Sequence, residues 1–118
     1  MSEAVRIFHN PRCSKSRQTM EILNNNNADV SVVEYLKSPP GSAELNEILD
    51  MLGMEPRDLM RKNEKPYKEN QLDNPQLTRE QLIQAMVDNP VLIERPIVIC
   101  GNKAVIGRPP EKVMDILS

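Results

Sequence analysis

Aromatic side chains are nearly missing from this sequence: Phe8, Tyr35 and Tyr67 are the whole set, and there is no tryptophan. Single-stranded nucleic acids are usually held by stacking their bases on aromatic rings, so that ligand has no platform here. The core must be aliphatic instead, built from Leu, Ile, Val and seven Met. A dominant charge is lacking too. Fifteen Lys and Arg against seventeen Asp and Glu leave a net charge of −2, which gives no global attraction for DNA or anionic lipid. Any affinity for anions must come from local clustering. Apolar runs are too short and too interrupted for a bilayer span. The opening MSEAVRIFHN lacks the basic segment and long apolar stretch of a secretory signal. The expectation is a cytoplasmic protein with neither nucleic acid nor membrane as partner.

Cysteine and histidine are equally sparse. Cys13, Cys100 and the single His9 make a poor ligand set for zinc, which takes three or four clustered ligands; no metal site is expected. In a reducing compartment the two cysteines are expected as thiols rather than a bridge. The length of 118 residues, with 39% hydrophobic and 27% charged residues, suits one soluble domain over residues 1–118.

Hydrophobic periodicity and turn residues divide the chain. Ala4–Phe8 reads as a strand ended by His9-Asn10-Pro11, and a helix follows Cys13 with Ser14 or Ser16 near its cap. Met20 and Leu23 lie on its apolar face, and the run Asn24–Asn27 stops it. Val30–Tyr35 is a second, β-branched strand. Ser42 is a candidate N-cap for a helix carrying Leu45, Ile48, Leu49 and Leu52, closed by Gly53. The polar stretch from Glu55 to Asn74 predicts only a short helical turn around Pro56–Met60. Thr78-Arg79-Glu80-Gln81 is a capping box opening a helix with Leu82, Ile83, Met86 and Val87 inward. Ile97–Cys100 and Ala104–Ile106 read as strands joined by Gly101-Asn102-Lys103. A last helix starts at Pro109-Pro110 and carries Val113, Ile116 and Leu117 on one stripe. The order β-α-β, helices, β-β-α predicts an α/β fold: a thioredoxin-like mixed sheet with an inserted helical segment at about residues 42–90.

Cys13 is the sharpest chemical feature. A cysteine where strand gives way to helix faces free N–H groups and the positive helix end, and Arg12, Lys15 and Arg17 add local positive charge. Both favour the thiolate, which is the reactive form. Ser16 stands where dithiol oxidoreductases carry a second cysteine, so any resolving thiol comes from elsewhere. Cys100 lies in an apolar strand, which suggests core packing. His9 is open to two readings, a group that influences the thiolate or an ordinary turn residue. Arg95-Pro96 and Arg108-Pro109 repeat at strand boundaries, and Arg61-Lys62-Asn63 adds cations from the middle. Guanidinium forks suit a tetrahedral oxyanion, although spacing alone does not show that these converge.

Taken together, His9-Asn10-Pro11-Arg12-Cys13, Ser16-Arg17, Arg61-Lys62-Asn63 with Pro66-Tyr67, the run Asn89–Val98 and Arg108-Pro109 resemble the glutaredoxin-dependent arsenate reductase family. The match runs from about Val5 onwards in the right order. The resemblance implies a thioredoxin-like fold with a cis peptide before the late proline and Cys13 as nucleophile. It implies Arg61, Arg95 and Arg108 as ligands of arsenate, with His9, Ser16 and Arg17 supporting the thiolate. It further implies a cysteine–arsenate adduct resolved by glutathione as co-substrate and glutaredoxin as partner, in a monomer with no bound cofactor. Better-known resistance enzymes of that family have small residues where this chain has Arg12 and Ser14-Lys15, a difference that bears on oxyanion access and on the glutathione position. This chain also ends at Ser118 without the C-terminal extension common among them. Two alternatives stand beside this reading. One is a related thiol oxidoreductase acting on another oxyanion or on a glutathione mixed disulfide. The other is a non-catalytic regulatory relative that binds RNA polymerase, although such proteins carry a C-x-x-C pair that Ser16 interrupts here.

Overall fold

The computed structural model describes residues 4–117; the outer ends of the expected domain, residues 1–3 and 118, lie outside the described residues. The chain forms two compact units: one comprises the described residues up to Ser38 and from Arg95 onwards, and the other is Pro39–Glu94.

In the first unit, β1 (Ala4–Phe8) leads into α1 (Ser14–Asn25) and then β2 (Asp29–Val33). β1 and β2 are parallel, with Ala4 opposite Asp29 and Phe8 opposite Val33, a pairing that needs a crossover such as α1. β3 (Ile97–Cys100) and β4 (Lys103–Ile106) follow the second unit. β3 runs antiparallel to β1, with Phe8 opposite Ile97, and β4 runs antiparallel to β3. The resulting order β2-β1-β3-β4 is a thioredoxin-like mixed sheet, the α/β class that the element order indicates. Val5, Ile7, Leu23, Val98 and Val113 form its buried cluster, with Met20, Val30, Cys100 and Val105 packed against it. β3 reads Ile-Val-Ile because it is buried on both faces; Ile97, Val98 and Ile99 are all 5% exposed or less.

Several boundaries differ from the sequence reading. β2 stops at Val33, because the Glu34 carbonyl turns to accept the N–H groups of Lys37 and Ser38; Tyr35 leaves the ladder and is buried. The β3–β4 turn is two residues long, with Gly101 at φ 62°, a left-handed value that favours glycine in a tight hairpin. The last helix is a 3-10 helix, Pro110–Ile116, with Val113 buried in the core.

In the second unit, α2 (Ser42–Leu52) packs against α4 (Arg79–Asp88). Gly41, not Ser42, is the N-cap of α2, and Gly53 closes it at φ 66°. The expected capping box of α4 is present: the Gln81 N–H donates to Thr78 Oγ1 at 3.2 Å and the Thr78 N–H donates to Gln81 Oε1 at 2.9 Å. A 3-10 turn covers Pro56–Leu59. α3 (Lys65–Glu69) buries no residue, so it leaves no apolar stripe to read. No helix among the described residues is long and apolar enough to cross a membrane.

Candidate active site

The chain leaves β1 at Phe8, turns through His9–Arg12 and enters α1 at Ser14. Cys13 itself is the N-cap, extended at φ −92° and ψ 122°, one residue earlier than the serines expected there. Its N–H donates to the Asn10 carbonyl at 2.9 Å, and its carbonyl accepts the Arg17 N–H at 3.0 Å. An N-cap side chain faces the N–H groups of the second and third helical residues, here Lys15 and Ser16. The thiol makes no conventional capping bond, so those dipoles act on the ionised sulfur. Cys13 is 8% exposed. Burial pushes its thiol up, but the Ser16 N–H, the hydrogen bond and charge of Arg95 and the Lys15 N–H outweigh it, and the pKa falls below the ordinary thiol value.

Arg108 completes this environment. Its Nη2 donates to Cys13 Sγ at 3.5 Å, and its Nε donates to the Arg95 carbonyl at 2.7 Å. One guanidinium thus joins the sulfur to the strand boundary that carries the other arginine. The Arg95–Pro96 and Arg108–Pro109 peptides are both cis. Gly107, between β4 and Arg108, donates its N–H to the Pro96 carbonyl at 2.9 Å. A Cβ at Gly107 would meet Thr19 Oγ1 at 2.6 Å and Pro96 Cγ at 2.9 Å. Only a residue without a side chain lets α1 approach the proline loop so closely.

Ser16 is fully buried. Its Oγ lies 2.6 Å from His9 Nδ1 and accepts the Asn10 N–H at 3.1 Å. A neutral ring with its proton on Nε2 accepts the Ser16 hydroxyl proton at Nδ1, an assignment that satisfies all three groups. Burial lowers the His9 pKa from 6.5; Glu34 opposes the shift and Arg17 adds to it. Arg17 reaches back to the Pro11 carbonyl at 3.4 Å, bracing the same loop.

Cys13, His9, Ser16, Arg17, Arg95 and Arg108 therefore occupy one neighbourhood of the first unit. Arg61 belongs to the second unit. There its N–H donates to the Leu92 carbonyl at 2.7 Å, and its guanidinium meets Glu64 at 3.3 Å and Glu94 at 3.2 Å. Cys100 is half-buried on β3, outside any disulfide among the described residues and packed against the core. Sequence reasoning missed Gly107 and the two carboxylates on Arg61. A glycine directly before Arg-Pro was visible, but nothing local announced Thr19 as its neighbour.

A family model described as the ArsC family matches residues 8–116. The uncharacterized protein YfgD of Escherichia coli (strain K12) is 52% identical over 118 residues, covering 99% of each chain. An arsenate reductase of Neisseria meningitidis serogroup B is 45% identical over 114 residues, or 96% of this chain and 97% of that one. The solved structure of an arsenate reductase from Vibrio cholerae superposes with a TM-score of 0.96 at 45% identity, covering 99% of this chain and all of that one.

Proposed function

The chain belongs to the ArsC family, and from that premise we propose that it reduces arsenate to arsenite with Cys13 as nucleophile and Arg95, Arg108 and Arg61 as oxyanion ligands. One observation carries the assignment: a thiol held toward its ionised form at the N-cap of α1, with Arg108 Nη2 at 3.5 Å and Arg95 bonded to it. A thiolate and an anionic substrate repel by about 4 kcal/mol per charge pair at 4 Å near a protein surface. Fixed guanidinium groups offset that repulsion and hold the tetrahedral oxygens where charge develops. His9, Ser16 and Arg17 serve as supports of the Cys13 loop.

The chemistry proceeds in three balanced steps. Cys13 Sγ attacks arsenic(V), and one arsenate oxygen, taking up protons, leaves as water; a Cys13–S–As bond has formed. The sulfur of glutathione then attacks Cys13 Sγ and gives up its proton. The S–As pair passes to arsenic, which leaves as arsenite in the +3 state, and a Cys13–glutathione disulfide remains. A glutaredoxin thiol finally attacks the glutathione sulfur and returns Cys13 as a thiol. Two thiols have become one disulfide as arsenate loses one oxygen. The same reading places the protein in the cytoplasm, where glutathione is kept reduced, and as a monomer with no bound cofactor.

The test is arsenite formation by purified protein supplied with arsenate, glutathione and glutaredoxin. Turnover is expected in wild type and absent in Cys13→Ser. No arsenite with both thiol donors present would reject the function.

A further inference from the structure

The loop that delivers Cys13 also walls a cleft of about 240 Å³, with His9–Arg12 on one side and Glu34, Leu36 and Lys37 on the other. All of these residues lie in the first unit. The cleft carries both signs of charge. Lys37 Nζ stands 3.7 Å from Glu34 Oε1 at the far wall, and both side chains are largely open to solvent. Arg12 stands on the near wall, immediately before the nucleophile. Its N–H donates to Asn10 Oδ1, but among the described residues its guanidinium has no hydrogen bond or ion pair. Leu36 is 46% exposed, a large apolar side chain between the two charged ends. The arsenate chemistry uses none of Arg12, Glu34, Leu36 or Lys37.

We propose that this cleft seats glutathione for its attack on Cys13, an assignment that rests on the arsenate reductase reading. The tripeptide carries an ammonium and a carboxylate on one carbon, and a second carboxylate at its glycine end. The adjacent Glu34 and Lys37 match the first pair, and Arg12 matches the glycine carboxylate. With its ends fixed in this way, the central cysteine lies over Leu36, between the far wall and the residue next to Cys13. Such seating converts a collision with a buried adduct into a reaction between positioned sulfurs. It also selects against small neutral thiols, which have nothing to offer the charged walls.

The experiment uses the full chain and S-methylglutathione, which binds without reacting. In an NMR titration, amide shifts should concentrate at His9, Asn10, Arg12 and residues 34–37, and the double variant Arg12→Ala/Lys37→Ala should weaken Kd tenfold or more. The C-terminal amide of S-methylglutathione, in which the glycine carboxylate is neutralised, should bind wild type and Arg12→Ala equally. Shifts clustered elsewhere, or a Kd unchanged within twofold in the double variant, would overturn the assignment. All the altered side chains are solvent-facing, and unchanged spectra outside the two segments confirm that the variants fold. Because the titration needs no turnover, lost arsenate reduction with intact S-methylglutathione binding would condemn the function alone. Intact reduction with misplaced binding would condemn the cleft alone.

Discussion

Replacing Gly107 by Ala tests how tightly α1 is locked to the proline loop. Gly107 is not at a positive φ, so backbone conformation does not forbid alanine. On unfolded-state entropy alone the change would stabilise by about 0.4–1 kcal/mol. Sterics reverse the sign. The new Cβ lies 2.6 Å from Thr19 Oγ1, 3.3 Å from Thr19 Cγ2 and 2.9 Å from Pro96 Cγ. Thr19 is fully buried, and its hydroxyl is tied to the Lys15 carbonyl at 2.9 Å; a β-branched side chain is stiff at χ1. The proline ring cannot rotate away. Overpacking of this kind costs about 1–3 kcal/mol. With a urea slope near 2 kcal/mol/M, a typical value for a small protein, a loss of about 2 kcal/mol lowers the midpoint by about 1 M. Thr19→Ala removes two of the three crowding atoms, so the double variant should recover at least about 1 kcal/mol relative to the sum of the singles. A Gly107→Ala midpoint equal to wild type, or strictly additive singles, would refute the steric account.

Four further outcomes are expected. The iodoacetamide alkylation rate of Cys13 should rise with pH at a midpoint below that of a free thiol, and Arg95→Gln should move the midpoint up, because Arg95 contributes both a hydrogen bond and a charge to the lowering. Folding should strengthen as pH rises through this window, since the unfolded thiol holds its proton longer than the folded one. The His9 ring, followed by NMR, should titrate below 6.5; the unfolded state then takes up the proton first, so the His9 contribution is complete above that pH and is lost as pH falls through the folded value. Ser16→Ala should cost about 1–3 kcal/mol in urea unfolding, because the Asn10 N–H and His9 Nδ1 lose their buried partner. Thr78→Ala, which opens the capping box of α4, should cost about 1 kcal/mol in the same assay.

Features governed by neighbours in sequence were legible. The Thr78–Gln81 box, the Gly53 stop, the Gly101-Asn102 turn and the bounds of β1 follow from three or four adjacent side chains, and the sheet class follows from their order. Features governed by tertiary partners were not. The 3-10 form of Pro110–Ile116 and the withdrawal of Tyr35 from β2 have no periodic signature. In the site, the sequence pointed to Cys13 and to the two Arg-Pro pairs. It gave no sign of the bond from Arg108 to the Arg95 carbonyl, nor of the nucleophile serving as its own helix cap. The two carboxylates on Arg61 were equally silent, because Glu64 and Glu94 look like ordinary surface charges until the chain folds.

The interruption of the sheet between β2 and β3 carries one more consequence. Closing a flexible loop costs an entropy that grows only with the logarithm of its length, about 0.6 kcal/mol per doubling. Residues 39–94 form the excursion between those strands, and even doubling its length would add only about 0.6 kcal/mol of closure cost. Cys13, Arg95 and Arg108 are all anchored outside that excursion. Apart from Arg61 and the carboxylates that hold it, the helical part can therefore be lengthened or resurfaced in descendants of this chain while the sulfur and its two guanidinium neighbours keep their places.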